Sequence, residues 1–453
     1  MGRETAFVLI AYYLASACAL RTSSHAGTVL RSRTVISTSL CAKQEKDEGE
    51  GTVLSSSLLI AGTTIGGGFL ALPRATAPAG FLPSVVGLVA SWLFLLSSSL
   101  SLVDATILTT NAKRGNDVEP VSIFRIGSAV GGPVAASLVG GSFCVLMVST
   151  LVAQMSKAGS LLSDSLAPAV RFAPSLCTLA FSALSYLATF GPGGVAMAER
   201  INSFLTTVML ASFVGVAASA AAIADPSRLA RTNWVALIPF GSGRAATWSI
   251  PVLLQLLVYS ETVPFVVGRL GGDRKKIRTA IAAGSFLPLL MCVVWTAAAI
   301  CAAPYSPAAF DPVQTLLGAS QSTSLRLFIL ALAASAITTT AIGSLLTMEQ
   351  FFQDALALRG GRVALARALA IVPCTLVAAI GSRSLYYYAT AFAGMFPVLL
   401  LWGLFPPLAF LRLRAGQKSS GGGGGGGVEV VLARVNVVIS IAVLSVNLLS
   451  FLH

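Results

Sequence analysis

The sequence predicts an all-α membrane protein of about 11 transmembrane helices, with a core of five plus five spans and one added, and three observations carry that expectation. Of its 453 residues, 55% are apolar and only 10% charged, against roughly 25% charged in an average soluble domain. So few polar groups cannot cover a water-exposed surface, and the lipid bilayer is the expected solvent. The apolar residues come in separated blocks of about 20, the length a helix needs to cross a hydrocarbon core about 30 Å thick. In lipid a backbone must satisfy its own hydrogen bonds, which makes helices the default span. Finally, the first and sixth blocks are both interrupted in their middles.

The blocks fall near residues 53–72, 82–108, 133–161, 171–190, 201–224, 247–268, 278–302, 325–350, 364–381, 385–411 and 429–452. The formal net charge is +13, but the basic residues lie in the amino-terminal extension and in short loops, so positive-inside topology accounts for them and no nucleic-acid partner is expected. With the start of the first span inside, loops on that side hold Lys113, Arg114, Arg125, Arg269, Arg274, Lys275, Lys276, Arg278, Arg359, Arg362, Arg367, Arg412, Arg414 and Lys418. The opposite loops hold Arg171, Arg228, Arg231 and Arg383. The seven cysteines form no C-x-x-C pair, and the only histidines are His25 and His453, at the ends. No cofactor or metal site is therefore expected, and a His-ligated membrane oxidase, desaturase or zinc protease is excluded.

Residues 1–20 contain a 14-residue apolar stretch behind Arg3, ending in Ala15-Ser16-Ala17, which reads as a signal-peptide core. Residues 21–50 open with Arg, Ser and Thr and no acid before an acidic patch, the composition of an organelle transit segment. Together they resemble the bipartite presequences of algae with complex plastids. The expected address is a plastid (chloroplast) inner envelope membrane, the alternatives being the plasma membrane or another endomembrane. The remaining divisions are a 51–411 core, a glycine-rich linker over 412–428 containing the run Gly421 to Gly427, and a last span over 429–453. A glycine tract has no side chains with which to pack, so the last helix is expected to be loosely tethered.

The first span reads LLIAGTTIGGGFLALP, with Gly62, Gly66, Gly67 and Gly68 at mid-membrane. Each glycine costs about 1 kcal/mol of helix preference relative to alanine, so the cluster predicts local unwinding. Close helix packing of the G-x-x-x-G type through Gly62 and Gly66 is the other reading. Five spans later, PVLLQLLVYSETVPFVVG places Tyr259, Ser260, Glu261 and Thr262 as a polar island ahead of Pro264, which removes a helix hydrogen bond. Irregular backbone at this depth is tolerated only when buried in protein or lining a cavity. Two interrupted helices in matching positions are the best sequence pointer to a transporter's midplane site. The candidate substrate-binding residues are Gly62, Thr63, Thr64, Ile65, Gly66, Gly67, Gly68, Tyr259, Ser260, Glu261 and Thr262. The freed amides of Gly66, Gly67 and Gly68 can hold a carboxylate at a positive helix end, and carbonyls at the other half-helix ends an ammonium group.

The stretch Gly62-Thr63-Thr64-Ile65-Gly66-Gly67-Gly68 followed by Leu70-Ala71-Leu72-Pro73 resembles the first-span signature of the tryptophan/tyrosine permeases. Pro251, Pro264, the loop Gly271-Gly272-Asp273-Arg274-Lys275-Lys276-Ile277-Arg278, and Gly284, Ser285, Pro288 and Trp295 agree with it, as do Thr340, Gly343 and Asp354 in the eighth span. The resemblance covers residues 52–452. It implies the LeuT-like inverted-repeat fold shared with amino acid/polyamine transporters, and proton symport of tryptophan or tyrosine.

Charges within spans are costly and mark functional candidates. Glu261, at the sixth-span break, can exchange a proton during turnover, cap freed amides or pair with Lys157. Lys157, late in the third span, can stand in for a bound sodium ion or snorkel to the outer interface. Thr339 and Thr340 (beside Thr338) can give hydroxyls to a substrate or sodium ion, or bridge helices. Glu261, Lys157, Thr339 and Thr340 are thus the ion-coupling candidates, with a proton expected and sodium the alternative. Asp104, Glu199, Glu349 and Asp354, near inner span ends, are candidate gating charges, and Tyr386, Tyr387 and Tyr388 read as an interfacial aromatic belt. A same-fold transporter of another amino acid, a channel and a passive scaffold are the competing functions. No partner histidine lies within the spans, so an enzyme is the poorest fit.

Overall fold

In the computed structural model the described residues are 52–111, 122–166, 172–222, 224–237, 249–302, 323–356, 358, 360–418 and 427–452. The signal-like segment 1–20, the transit-like segment 21–50 and most of the glycine tract, Gly421 to Gly426, lie outside them. No strand forms among the described residues beyond an isolated bridge between Gly80 and Thr232. Among the described residues nine helices are long and apolar enough to cross a membrane and a bent first pair makes a tenth, against the 11 blocks of the sequence; the remaining block is the shorter, 17-residue apolar helix Pro174–Phe190.

The first span is Val53–Thr64, then extended backbone at Ile65 and Gly66, a 3-10 turn over Gly67–Ala71 and the short helix Leu72–Thr76. Its two parts are bent by 48°. Spans two to five are Phe81–Asn111, Ile123–Leu166, Pro174–Phe190 and Gly194–Ala222. The sixth is Ser249–Leu256, a 3-10 turn over Ser260–Thr262 and Val263–Arg269. Spans seven to nine are Arg274–Ala302, Thr323–Ala355 and Val363–Ile380. The tenth runs as Leu385–Met395, a π turn over Leu399–Leu404 and Phe405–Lys418, and the eleventh is Gly427–Leu452.

Local sequence accounts for several boundaries. Thr52 caps the first span, its hydroxyl accepting from the Ser55 amide at 3.2 Å. The Gly271-Gly272-Asp273 motif is a turn and a cap in one. Gly271 and Gly272 take φ of 59° and 76°, a left-handed region that favours glycine. Asp273 then accepts from the amides of Lys275 and Lys276 at 2.9 and 3.2 Å, at the start of the seventh span. The third span reaches further inward than its apolar block, because a kink at Gly131 and Gly132, followed by Pro133, joins it to a preceding helical segment. Helix also persists through Arg412 and Arg414 to Lys418, where a linker is expected from residue 412. Interfacial basic residues make that stretch read as loop, while its hydrogen bonding continues the tenth span.

The eleventh helix is not loosely held among the described residues. Asn447 Nδ2 donates to the Met395 carbonyl at 2.9 Å, where the tenth span breaks, and Asn436 donates to Ser97 of the second span. The core packs around the two broken spans, with Phe69 stacked on Trp295 at 5.3 Å between ring centroids. Leu138, Phe204, Val214 and Val438, all exposed, form part of the lipid-facing surface.

Two backbones come close where glycine permits. A Cβ on Gly394 of the tenth span would lie 1.8 Å from the Pro251 carbonyl oxygen of the sixth, and one on Gly284 of the seventh 2.6 Å from the Ser57 carbonyl oxygen of the first. A backbone contact cannot yield by rotating a side chain. Gly394→Val is expected to lower the thermal unfolding midpoint in detergent, with an overpacking cost of about 1–3 kcal/mol. Gly268→Ala, where nothing lies within 4 Å, should leave it unchanged or raise it; equal midpoints for the two variants would refute the close contact.

Candidate functional site at the broken helices

Both sequence interruptions are breaks in the fold, and they meet. A Cβ on Gly68 would come 2.9 Å from Leu256 Cδ2, at the end of the first half of the sixth span. The Gly67 peptide is held from two other spans: its N–H donates to Thr340 Oγ1 at 2.7 Å and its carbonyl accepts from the Tyr386 hydroxyl at 2.7 Å. Thr340 passes its own hydroxyl proton to the Ala336 carbonyl at 2.8 Å, leaving its oxygen free to accept. Gly67 also lacks room for a side chain, since a Cβ there would fall 1.9 Å from Gln154 Oε1, and on Gly66 2.7 Å from Thr340 Oγ1. Around Gly62, by contrast, nothing lies within 4 Å of a Cβ. The glycines at 66 and 67 answer to close approach at the break, and Gly62 does not make the tight packing a G-x-x-x-G contact requires.

Against the break lies a cavity of about 230 Å³, smaller than the roughly 300–1,000 Å³ of drug-sized ligand sites. Gly62, Thr63, Thr64, Ile65, Gly66 and Gly68 line it, with Glu261, Thr339 and Thr340. The other predicted residues support the walls. Gly67 is bonded as described; its amide is therefore already taken, and of the three amides expected for a carboxylate it is the one that is not free. Tyr259 is buried, Ser260 shares a hydrogen bond with Ser99 at 2.7 Å, and the Thr262 hydroxyl donates to the Tyr259 carbonyl at 2.8 Å. Thr339 donates to the Ala336 carbonyl at 3.1 Å.

Lys157 and Glu261 are not brought together. The Lys157 ammonium lies over the rings of Tyr386 and Tyr387, 5.4 and 5.6 Å from their centroids, and Lys157 is not among the cavity-lining residues. Arg74, at the outer end of the first span, stands 4.3 Å over the Tyr387 ring. Tyr386 is fully buried and bonded to the break, so the interfacial-belt expectation fails for it, while Tyr388 is partly exposed. Three consecutive tyrosines at a span end look like a belt; only the helical rotation that turns Tyr386 inward separates them.

The cavity continues toward the basic-loop side, where Asn202 and Thr206 of the fifth span and Thr347 of the eighth join its lining. On the outer side Phe69, Leu70, Leu72, Lys157 and Tyr386 are buried. At inner span ends, Asp104 lies 3.4 Å from Arg274 and 3.7 Å from Arg278, and Arg278 also meets Glu429 of the eleventh helix at 2.6 Å. Glu349 pairs with Arg367 at 2.7 Å. The sequence reading missed Gln154, Gln255, Asn202, Thr206 and Thr390 in the lining. For the two glutamines a signal existed, a polar amide in the middle of an apolar block.

A helical membrane fold broken in its first and sixth spans around a midplane cavity is the architecture of a secondary transporter. Comparison with known proteins agrees. A family model described as the tryptophan/tyrosine permease family matches residues 50–445, and the chain belongs to that family. It is 28% identical over 243 residues to tyrosine-specific transport system 1 of Haemophilus influenzae, covering 53% of this chain and 56% of that protein. It is 26% identical over 251 residues to the low affinity tryptophan permease of Escherichia coli K12, covering 52% of this chain and 55% of that protein. The matched region thus spans about half the length of these curated relatives. Among solved structures, a nucleobase-cation-symport-1 family transporter in a closed conformation with bromovinylhydantoin bound superposes with a TM-score of 0.54 at 11% identity, covering 88% of this chain and 93% of that one. That likeness shows the fold, and with it the five-plus-five inverted repeat.

Removing the Tyr386 hydroxyl should loosen the break. A buried hydrogen bond contributes about 0.5–1.5 kcal/mol net, so Tyr386→Phe is expected to raise amide hydrogen exchange over residues 62–72 by about 2- to 10-fold, with Tyr388→Phe as the control. Unchanged exchange in Tyr386→Phe would show that the bond does not hold the break.

Proposed function

We propose that this chain is a secondary active transporter of aromatic amino acids, tyrosine or tryptophan, working by alternating access with a proton as coupling ion. The observation that carries the reading is the cavity between the two broken spans in a member of this family. The matched relatives bear tyrosine and tryptophan names, and the physical chemistry of the cavity suits a zwitterion. The positive end of the 3-10 turn at Gly66 favours a carboxylate, and the carbonyl end of Ser249–Leu256 together with the Glu261 carboxylate favours an ammonium group. Leu146, Met147 and Val258 offer apolar walls for a ring.

Alternating access needs one closed and one open side. The packed residues around Lys157, Tyr386 and Tyr387 supply the outer closure, and the polar lining at Asn202, Thr206 and Thr347 supplies the inner path. The ion pairs of Asp104 with Arg274 and Arg278, and of Glu349 with Arg367, join the second span to the seventh and the eighth to the ninth. They are positioned to hold the inner ends in register and to exchange partners as the halves rock. Glu261 serves as the proton carrier. It lines the cavity, so protonation and substrate occupancy are coupled at one place. The membrane is a plastid inner envelope, a reading supported by the composition of residues 1–50.

Uptake of labelled tyrosine into reconstituted vesicles tests this. Gly66→Leu should abolish uptake, because its side chain would enter the space of Thr340. Glu261→Gln should lose stimulation by an inward proton gradient while retaining tracer exchange at fixed pH. Gradient-driven uptake by Glu261→Gln at the wild-type rate, or wild-type uptake that follows sodium alone, would overturn the proton assignment. A fluorescent protein behind residues 1–50 is expected in algal plastids; secretion of that fusion would refute the address.

A further inference from the structure

Every threonine that lines the cavity gives its hydroxyl proton to a carbonyl one turn earlier on its own span. Thr206 donates to Asn202 at 2.8 Å, Thr347 to Gly343 at 2.9 Å and Thr390 to Tyr386 at 2.8 Å. That is the usual fate of a hydroxyl in a membrane helix, and it withdraws the proton from any ligand. Ser344 of the eighth span departs from it. It lines the same cavity and is 8% exposed, yet its hydroxyl bonds to no other described residue and its oxygen is not enclosed by protein. A nearly buried hydroxyl on a cavity wall that keeps both its donor and its acceptor capacity is open to a polar group that a ligand brings.

The backbone beside Ser344 is bare. Gly343 also lines the cavity, and nothing lies within 4 Å of a Cβ placed there. Glycine inside a helix weakens it, and at Gly67, Gly284 and Gly394 a neighbouring atom close against the Cα accounts for the choice. Gly343 has no such neighbour. Gly62 of the first span is equally bare and lines the cavity too. The two lie at one level. Spans one and eight run antiparallel and touch at the break, where a Cβ on Gly66 would meet Thr340 Oγ1 at 2.7 Å. One turn inward from that contact comes Gly62 on the first span and Ser344, next to Gly343, on the eighth. Two facing helix surfaces without side chains leave a slot, with a hydroxyl at its edge. Ser344 is about 6 Å along the axis from Thr340, within reach of the side chain of an amino acid whose carboxylate is held at the break. Leu146 and Met147 of the third span line the cavity on the same inward side, giving the slot an apolar flank.

We infer that Gly62, Gly343 and Ser344 form the ring subsite: the flat side chain of the substrate enters between the two bare glycines, and the Ser344 hydroxyl bonds the polar group on its ring. This rests on the aromatic substrate class proposed above. The hydroxyl accepts from the phenol O–H of tyrosine or the indole N–H of tryptophan, and phenylalanine offers it neither. Hydrogen bonding at Ser344 therefore sorts ring-bearing substrates by whether they carry a donor. Gly343 contributes shape alone, since any side chain there would stand in the space of the ring.

The test is competition against labelled tyrosine in vesicles containing the full chain, with tyrosine, tryptophan and phenylalanine as competitors. Ser344→Ala should weaken tyrosine and tryptophan by about 2- to 10-fold, the loss of one hydrogen bond, while phenylalanine holds. Gly343→Val should weaken all three by a similar factor and leave their ratios as in the wild type. A tyrosine-to-phenylalanine ratio in Ser344→Ala equal to that of the wild type overturns the role of the hydroxyl. If Gly343→Val lowers only the maximal rate and keeps all three affinities, the gap is clearance for helix movement and the slot is overturned. Both of these outcomes leave aromatic transport standing. Absence of any aromatic uptake by the wild type instead brings down the substrate class, and this inference with it. If Gly343→Val does not assemble, Gly343→Ala, whose single methyl enters open space, is read in the same way.

Discussion

A helix that opens its backbone inside a bilayer must find partners for the peptide groups it releases, because no water is there to take them. At Gly67 the partners are side chains from distant spans: Thr340 of the eighth takes the N–H and Tyr386 of the tenth gives to the carbonyl. The rest of the site depends on this clamp. It lets the first span bend by 48° without an orphaned peptide at Gly67, and it brings Gln154 against the bare Cα. It also explains why glycine is needed at 66 and 67, where any side chain would occupy the space of Thr340 or Gln154.

The fold was largely legible in the sequence because its determinants are additive along the chain. Apolar block length sets the spans, and Gly66, Gly67 and Gly68 with the Ser260-Glu261-Thr262 island set the breaks. The site was legible only in part. Residues that line the cavity from the broken segments announced themselves by disturbing a helix, as Gly66, Gly68 and Glu261 did. Gln255, Asn202 and Thr206 sit in regular helices, and their roles come from which face turns inward, a property of packing that residue type alone does not set. Tyr386 shows the same limit in reverse, since its interfacial position suggested a lipid-facing belt and its rotation placed it in the core.

Charges at both ends of the spans have partners. Near the inner span ends they are paired across helices, as Asp104 with Arg274 and Glu349 with Arg367. Toward the outer side Arg383 pairs with Asp164 at 2.9 Å, and the cations Arg74 and Lys157 lie over tyrosine rings. An aromatic face attracts a cation without carrying a charge of its own.

The eleventh helix, outside the two five-span halves, reaches both. Its Asn447 covers the Met395 carbonyl where the tenth span breaks, its Asn436 meets Ser97 of the second span, and its Glu429 shares Arg278 with Asp104. These are the duties that bound solvent performs in a soluble protein: it satisfies an exposed peptide, bridges two hydroxyl-bearing surfaces and shields a charge. The added helix thus acts as a fixed solvent shell for one flank of the protein, and a ten-span relative without it would have to recruit lipid headgroups, water or a second subunit to the same three points.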